Sequence, residues 1–291
     1  MFNPNKISIG SAQFGMAYGI SNSSGIPEDD EIKDILDLAC YNEIKQIDTA
    51  RSYGRSEKII GDYLSLKSNP LFSITTKIDL RNSKIIDQFD ISMKNLNYFP
   101  INLLAHSYET YINKQFQQVV YRGKKNGLIK NFGLSLYYKN ELEAVLKQSY
   151  LPQIIQLPLN ILDNSLYLDG TIKKIYDMQI KIQIRTVFLQ GLFHLKEDFW
   201  KKNFNEAFPY LKELKRIANE ANLTLPELSL LWVNSLNEID TIIIGLDNIF
   251  QLKENIKSLK KEVSKDILSR ATKVNLKYSN TLDPTKWKKK F

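Results

Sequence analysis

Four residues of complementary chemistry stand at or just beyond the ends of short apolar runs. Asp48, Lys77 and His106 each close one, and Tyr53 follows Asp48 closely. Together they suit reduction of a carbonyl by hydride transfer. That reaction leaves negative charge on the carbonyl oxygen, which must then take a proton. A phenol at Tyr53 can give it, although a tyrosine ordinarily ionises only at a pKa of about 10. An ammonium at Lys77 would favour the phenolate and lower that value. Asp48 would pair with Lys77 and hold it, and His106 would donate a hydrogen bond that orients the carbonyl. Singly, each has a plainer reading: Asp48 as a cap, Lys77 as a surface lysine, Tyr53 as one of 15 tyrosines, His106 as one of two histidines. Their shared placement on successive strand ends is what sets them apart.

The elements that must position them alternate along the chain. Runs rich in Ile, Leu and Val at residues 6–10, 45–48, 71–77, 101–105, 129–134, 154–156, 180–186 and 241–245 are followed by longer amphipathic stretches. Mostly unbroken apolar character fits strands buried on both faces. Helices are expected at 28–40, 56–64, 83–96, 114–126, 139–148 and 168–178, as a pair at 205–221 and 226–235, and at 248–259. Pro27 suits a helix start and Gly127 a helix stop. Eight such units predict an α/β fold, a (β/α)8 TIM barrel forming one domain over residues 1–291. Its tail is expected to be irregular from about residue 273, anchored by Pro284 and Trp287. In a barrel the C-terminal strand ends share one face, so the four residues can converge. The longest loop, 191–205, falls on that face. An open doubly wound sheet is the competing architecture. Residues 10–19, GSAQFGMAYG, lack its G-x-G-x-x-G spacing, and no Walker A sequence occurs.

Composition removes other classes. With 43% hydrophobic and 25% charged residues, a chain of 291 can bury a large core without disulfides. Cys40 is the single cysteine, and with His106 and His194 it makes no zinc-like spacing, so no metal is expected. The net charge of +8 comes from scattered lysines, densest at 257–265 and 288–290, and reads as solvated surface; no nucleic-acid partner is expected. The N-terminus lacks the basic-then-apolar pattern of a signal peptide, and no run reaches ~18 apolar residues. A cytoplasmic location without membrane contact is therefore expected. Nothing in the sequence indicates an oligomeric state.

Several segments together resemble the aldo–keto reductase family, in its bacterial branch. They are GSAQFGMAYG at 10–19, QIDTARSYGRSEKIIG at 46–61, TTKID at 75–79, LLAHS at 103–107, GLS at 133–135, QLPLN at 156–160, RTVFLQGLF at 185–193 and IIIGLDNIFQLKEN at 242–255. Order and spacing match from about residue 7 to 259. The resemblance implies a tetrad of Asp48, Tyr53, Lys77 and His106 and a nicotinamide dinucleotide, NAD(H) or NADP(H). It implies that Ser135 and Gln156 hold the carboxamide. Arg185 occupies a position where many members stack an aromatic ring on the nicotinamide; its planar guanidinium offers a similar contact. Thr186, Phe188 and Gln190 would belong to the pyrophosphate loop, and Gly245, Asp247, Gln251 and Asn255 to the adenosine side.

The sequence departs from the family at two places. Leu136 stands where many members have asparagine. Gly245, Leu246, Asp247 and Gln251 replace residues that commonly clamp the 2′-phosphate of NADP, so weak discrimination, with a lean towards NADH, is expected. Phe14, Tyr18 and Phe193 are the candidates for lining a pocket for a small carbonyl or alcohol substrate. The first-loop segment resembles a branch associated with surface polysaccharides, which implies a sugar-related substrate. The family also includes accessory subunits that keep the barrel and cofactor, so a regulatory barrel is the alternative.

Overall fold

The computed structural model describes residues 2–66, 72–81, 83–277 and 279–287. Among these, eight strands form a closed, all-parallel barrel in chain order: β1 Ile7–Gly10, β2 Gln46–Asp48, β3 Ser73–Ile78, β4 Ile101–Ala105, β5 Ile129–Ser135, β6 Ile154–Pro158, β7 Lys181–Arg185 and β8 Thr241–Gly245. Closure comes from β8 lying against β1, with Ile7 beside Ile242 and Gly10 beside Gly245. The fold is thus the expected (β/α)8 barrel. Leu71, expected to open the third strand, lies outside the described residues, as does the lysine run 288–290.

Helices return the chain between strands and cover the sheet. In the helix Asp29–Tyr41, Ile32, Ile35, Leu36 and Ala39 recur at three- and four-residue spacing and are buried. Each fully buried large aliphatic contributes about 1.5–3 kcal/mol. Asp29, Asp30 and Glu31 sit in its first turn, where the helix dipole favours negative charge. Thr224 and Glu227 form a reciprocal capping box on Leu225–Ser235. The Asn248 side chain accepts from Gln251 N–H to cap Ile249–Leu259, which follows β8.

One expectation is corrected and one helix is added. Residues 191–205 are not one loop, because Glu197–Asn203 is helical, with acids in its first turn, lysines in its last and Trp200 buried. A further helix, Lys265–Thr272, capped by Ser264, precedes the tail. Beyond it the described residues form only short 3-10 turns, and the Trp287 ring packs edge-on against Phe204 with centroids 4.9 Å apart.

Candidate active site

The strand register brings the chemistry together. Asp48 ends β2 opposite Thr75 of β3, and two residues on, Lys77 reaches back across the barrel end. Lys77 Nζ donates to Asp48 Oδ2 at 2.7 Å and to the Thr49 carbonyl at 2.8 Å. The two side chains are 0% and 7% exposed, so the pair sits behind the surface rather than on it. Ser135, Gln156 and Gln183 stand side by side on β5, β6 and β7. Ser135 Oγ donates to Gln156 Oε1 at 3.1 Å, and Gln156 Nε2 donates to Gln183 Oε1 at 3.1 Å and Asp48 Oδ1 at 2.8 Å.

Tyr53 comes from the loop after β2. Its position is fixed by a close crossing of two loops: a Cβ on Gly15 would fall 1.8 Å from the Tyr53 carbonyl oxygen, so only glycine fits there. Behind the loop, Arg51 pairs with buried Glu57 at 3.1 Å, and Glu57 also accepts from Thr76 at 2.7 Å. The Tyr53 and His106 rings meet edge to face with centroids 6.1 Å apart, and Lys77 Nζ lies 5.2 Å from the Tyr53 ring centre. The four residues therefore converge at the C-terminal end of the strands.

Electrostatics differs from the expectation at one point. Burial pushes the Tyr53 phenol above its ordinary value, the Asp48 carboxylate adds to the rise, and Arg185 opposes it. The Lys77 ammonium is committed to Asp48 and the Thr49 carbonyl rather than the phenol. Burial also lowers the Lys77 pKa, against the pull of Asp48. His106 is pushed down to about 3, by burial first and then by Lys77 and Arg185. Its imidazole is neutral near pH 7, with one ring N–H to donate.

One continuous cleft opens over these residues. Its wall includes Asp48, Tyr53, His106, Tyr18 and Tyr137, Arg185, Thr186, Phe188, Gln190 and Gly191 of the segment after β7, and His194, Gly245, Asp247 and Gln251. The segment after β7 has left-handed backbone at Thr186 (φ 68°), Leu189 (47°), Gln190 (51°) and Gly191 (92°). A β-branched residue at positive φ is strained, and such strain gathers at functional sites. The first loop crosses over this segment. Ile20 N–H donates to the Gln190 carbonyl at 2.9 Å, and the Gln190 amide donates to the Tyr18 hydroxyl at 2.8 Å.

Asp247 and Gln251 are tied reciprocally: Asp247 N–H donates to Gln251 Oε1 at 2.8 Å, and Gln251 Nε2 donates to Asp247 Oδ2 at 2.9 Å. Asp247 Oδ1 and Gln13 Oε1 are buried acceptors without a protein partner, and both residues line the cleft. A ligand rich in hydroxyl or amide donors would satisfy them.

Some expected residues lie elsewhere. Phe14 and Phe193 are 0% and 2% exposed and belong to the core, not to the cleft wall. Their rings have no polar edge to leave in water, and the turns carrying them face inward. Ser135, Gln156 and Lys77 are buried behind the cleft and do not line it. Asn255 stands farther along its helix, outside the wall. Sequence reasoning missed Tyr137, Gln13 and Gln183. Only Tyr137 left a trace, as an aromatic residue just beyond a strand end. Among the described residues no group of three or more His, Cys, Asp or Glu is arranged to hold a metal, and no helix is long and apolar enough to cross a membrane.

Comparison with known proteins agrees with the barrel. The sequence profile of the Aldo/keto reductase family matches residues 6–276. Among solved structures, an aldo-keto reductase from Bacillus halodurans in its holo form is 18% identical, with a TM-score of 0.74, covering 92% of this chain and 91% of that one. A glycerol dehydrogenase from Gluconobacter oxydans is 19% identical, with a TM-score of 0.69 over 92% and 90%. An aldo-keto reductase from Pseudomonas aeruginosa is 21% identical, with a TM-score of 0.64 over 87% and 89%. A sequence search of curated proteins gave no significant match.

Proposed function

The chain belongs to the aldo/keto reductase family, and on that premise we propose that it reduces an aldehyde or ketone to the alcohol, or runs the reverse oxidation, with Tyr53 as the proton donor. The observation that carries this reading is the convergence of a buried Asp48–Lys77 pair, Tyr53 and His106 at one cleft. A nicotinamide dinucleotide would supply the hydride. The cleft's length along β7 and β8 and its unmet acceptors, Gln13 Oε1 and Asp247 Oδ1, suit such a ligand. Thr186, Phe188, Gln190, Gly245, Asp247 and Gln251 would contact it, Arg185 would lie against the nicotinamide with terminal N–H groups still free, and Ser135 and Gln156 would have to exchange their mutual bond to reach it.

In this mechanism Tyr53 keeps its proton until the carbonyl oxygen becomes basic, because burial disfavours the phenolate. Neutral His106 donates its N–H to the same oxygen and fixes its direction. Lys77 and Asp48 keep the base of the site charged but rigid. Asp247, acceptor-only at its end of the cleft, favours a ribose hydroxyl over a phosphate there. A hydroxylated, sugar-related substrate fits the polar wall, and one of the similar structures is a glycerol dehydrogenase.

The test is cofactor oxidation with a panel of aldehydes by the wild type and Tyr53→Phe, with cofactor affinity followed by fluorescence. Tyr53→Phe should lose about 10²–10⁴-fold in turnover while still binding cofactor. Near-normal reduction by the variant rejects Tyr53 as the acid. Cofactor binding by the wild type with no turnover on any carbonyl favours the accessory-barrel reading instead.

A further inference from the structure

Beside Tyr53 and His106 the cleft carries a positive charge that forms no ion pair among the described residues. Arg185 is half-buried in the wall it shares with Tyr53, His106 and Tyr137. Its guanidinium donates from Nε to Ser135 Oγ at 3.4 Å, from Nη1 to Thr186 Oγ1 at 3.1 Å and from Nη2 to the Leu136 carbonyl at 3.0 Å. All three acceptors are neutral. The ion pairs of the described arginines involve Arg51, Arg55, Arg81, Arg216 and Arg270, and none involves Arg185.

The geometry leaves the charge available. The guanidinium lies over the Tyr137 ring, with Cζ 3.9 Å from the ring centre, a cation–π contact that helps to hold it in place. A guanidinium has five N–H groups. Three are used, which leaves one on each terminal nitrogen. Two donors on the terminal nitrogens of one guanidinium can serve the two oxygens of a carboxylate. The other charges do not compete. Asp48 is already paired with Lys77, and Asp247 is tied to Gln251. A half-buried cation with no ion-pair partner favours an anionic group on a ligand that covers it.

We propose that the substrate is a carbonyl compound that also bears a carboxylate, which Arg185 receives while the carbonyl meets Tyr53 and His106. This rests on the carbonyl-reductase reading and narrows it to a class. The shared chemistry is an oxyanion, and a cofactor diphosphate is its other source. The position of Arg185 next to Tyr53 and His106 favours the substrate.

The experiment has two arms. In the first, 4-carboxybenzaldehyde and methyl 4-formylbenzoate are compared with wild type, Arg185→Gln and Arg185→Lys. The ratio of kcat/KM values is taken within each protein, so that a general loss cancels. The wild type should favour the carboxylate by about tenfold or more. Arg185→Gln should bring the ratio close to one, and Arg185→Lys should restore part of it. In the second, benzoate and benzyl alcohol are titrated calorimetrically into the protein with cofactor, and NADH is titrated into each variant. Benzoate should bind more tightly than benzyl alcohol only when Arg185 is present. A wild-type ratio near one overturns the proposal. So does an Arg185→Gln variant that binds NADH poorly but keeps the ratio, since that assigns the charge to the cofactor. If neither aldehyde turns over but benzoate binding still depends on Arg185, the anion site stands and the reductase reading falls.

Discussion

Gln156 and Lys77 hold opposite oxygens of the same carboxylate: Gln156 Nε2 is 2.8 Å from Asp48 Oδ1, and Lys77 Nζ is 2.7 Å from Asp48 Oδ2. Three strands, β2, β3 and β6, are thereby joined through one side chain near their C-terminal ends. The aspartate is a structural keystone of the barrel end.

Asp48→Asn should therefore cost stability as well as activity. It leaves the Lys77 ammonium, 0% exposed, without its counter-charge. Breaking one side of a buried pair costs about 3–5 kcal/mol. Urea unfolding should show a loss of that order, and the double variant Asp48→Asn with Lys77→Met should recover part of it. A loss for the single variant below about 1 kcal/mol would mean that water reaches the pair.

The pH dependence follows from His106. Its folded value, about 3, lies below the ordinary 6.5. Below 6.5 the unfolded chain binds a proton that the folded chain refuses, so stability rises with pH between about 3 and 6.5 and is lost as pH falls. His194 is also lowered by burial and acts with the same sign. Replacing His106 by Gln should remove part of the acid sensitivity when urea midpoints at pH 7 and pH 4.5 are compared. An unchanged difference between those midpoints refutes the neutral imidazole. With the Tyr53 phenol raised, reductive kcat/KM should not fall through deprotonation below about pH 10.

Cofactor choice should depend on Asp247. The wild type should bind NADH at least as well as NADPH at physiological salt, and Asp247→Arg should shift the ratio towards NADPH by about tenfold or more. Equilibrium fluorescence titration measures both. A wild-type preference for NADPH of ~100-fold, about 2.7 kcal/mol, defeats the prediction.

Asp48, Lys77 and His106 were legible because each is a polar residue closing an apolar run, and strand ends of a parallel barrel share a face. The barrel itself was legible from eight such runs. Other features depended on direction, which a linear pattern does not encode. Phe14 and Tyr18 lie in one loop, yet the 3-10 turn Ala12–Phe14 aims the first into the core while Tyr18 reaches the Gln190 amide. Tyr137 was hidden among 15 tyrosines until Arg185 was seen stacked on it. The helix Glu197–Asn203 is under two full turns, too short for a 3.6-residue period to show. The raised phenol of Tyr53 reflects its burial and the Asp48 carboxylate beside it, and those are tertiary facts.

Closure of β8 against β1 joins residues 7–10 to residues 242–245. During synthesis, Asp48, Tyr53, Lys77 and His106 leave the ribosome long before Gly245 and Asp247 do, and at about 5–20 residues per second that interval is several seconds or longer. Until the last strand docks, the first strand presents a bare edge, and Gly10 faces no opposite wall. The cleft is therefore finished last, by the pairing with the greatest separation along the chain. A nascent polypeptide can carry Asp48, Tyr53, Lys77 and His106 while still lacking the cleft residues that β8 and its following loop supply.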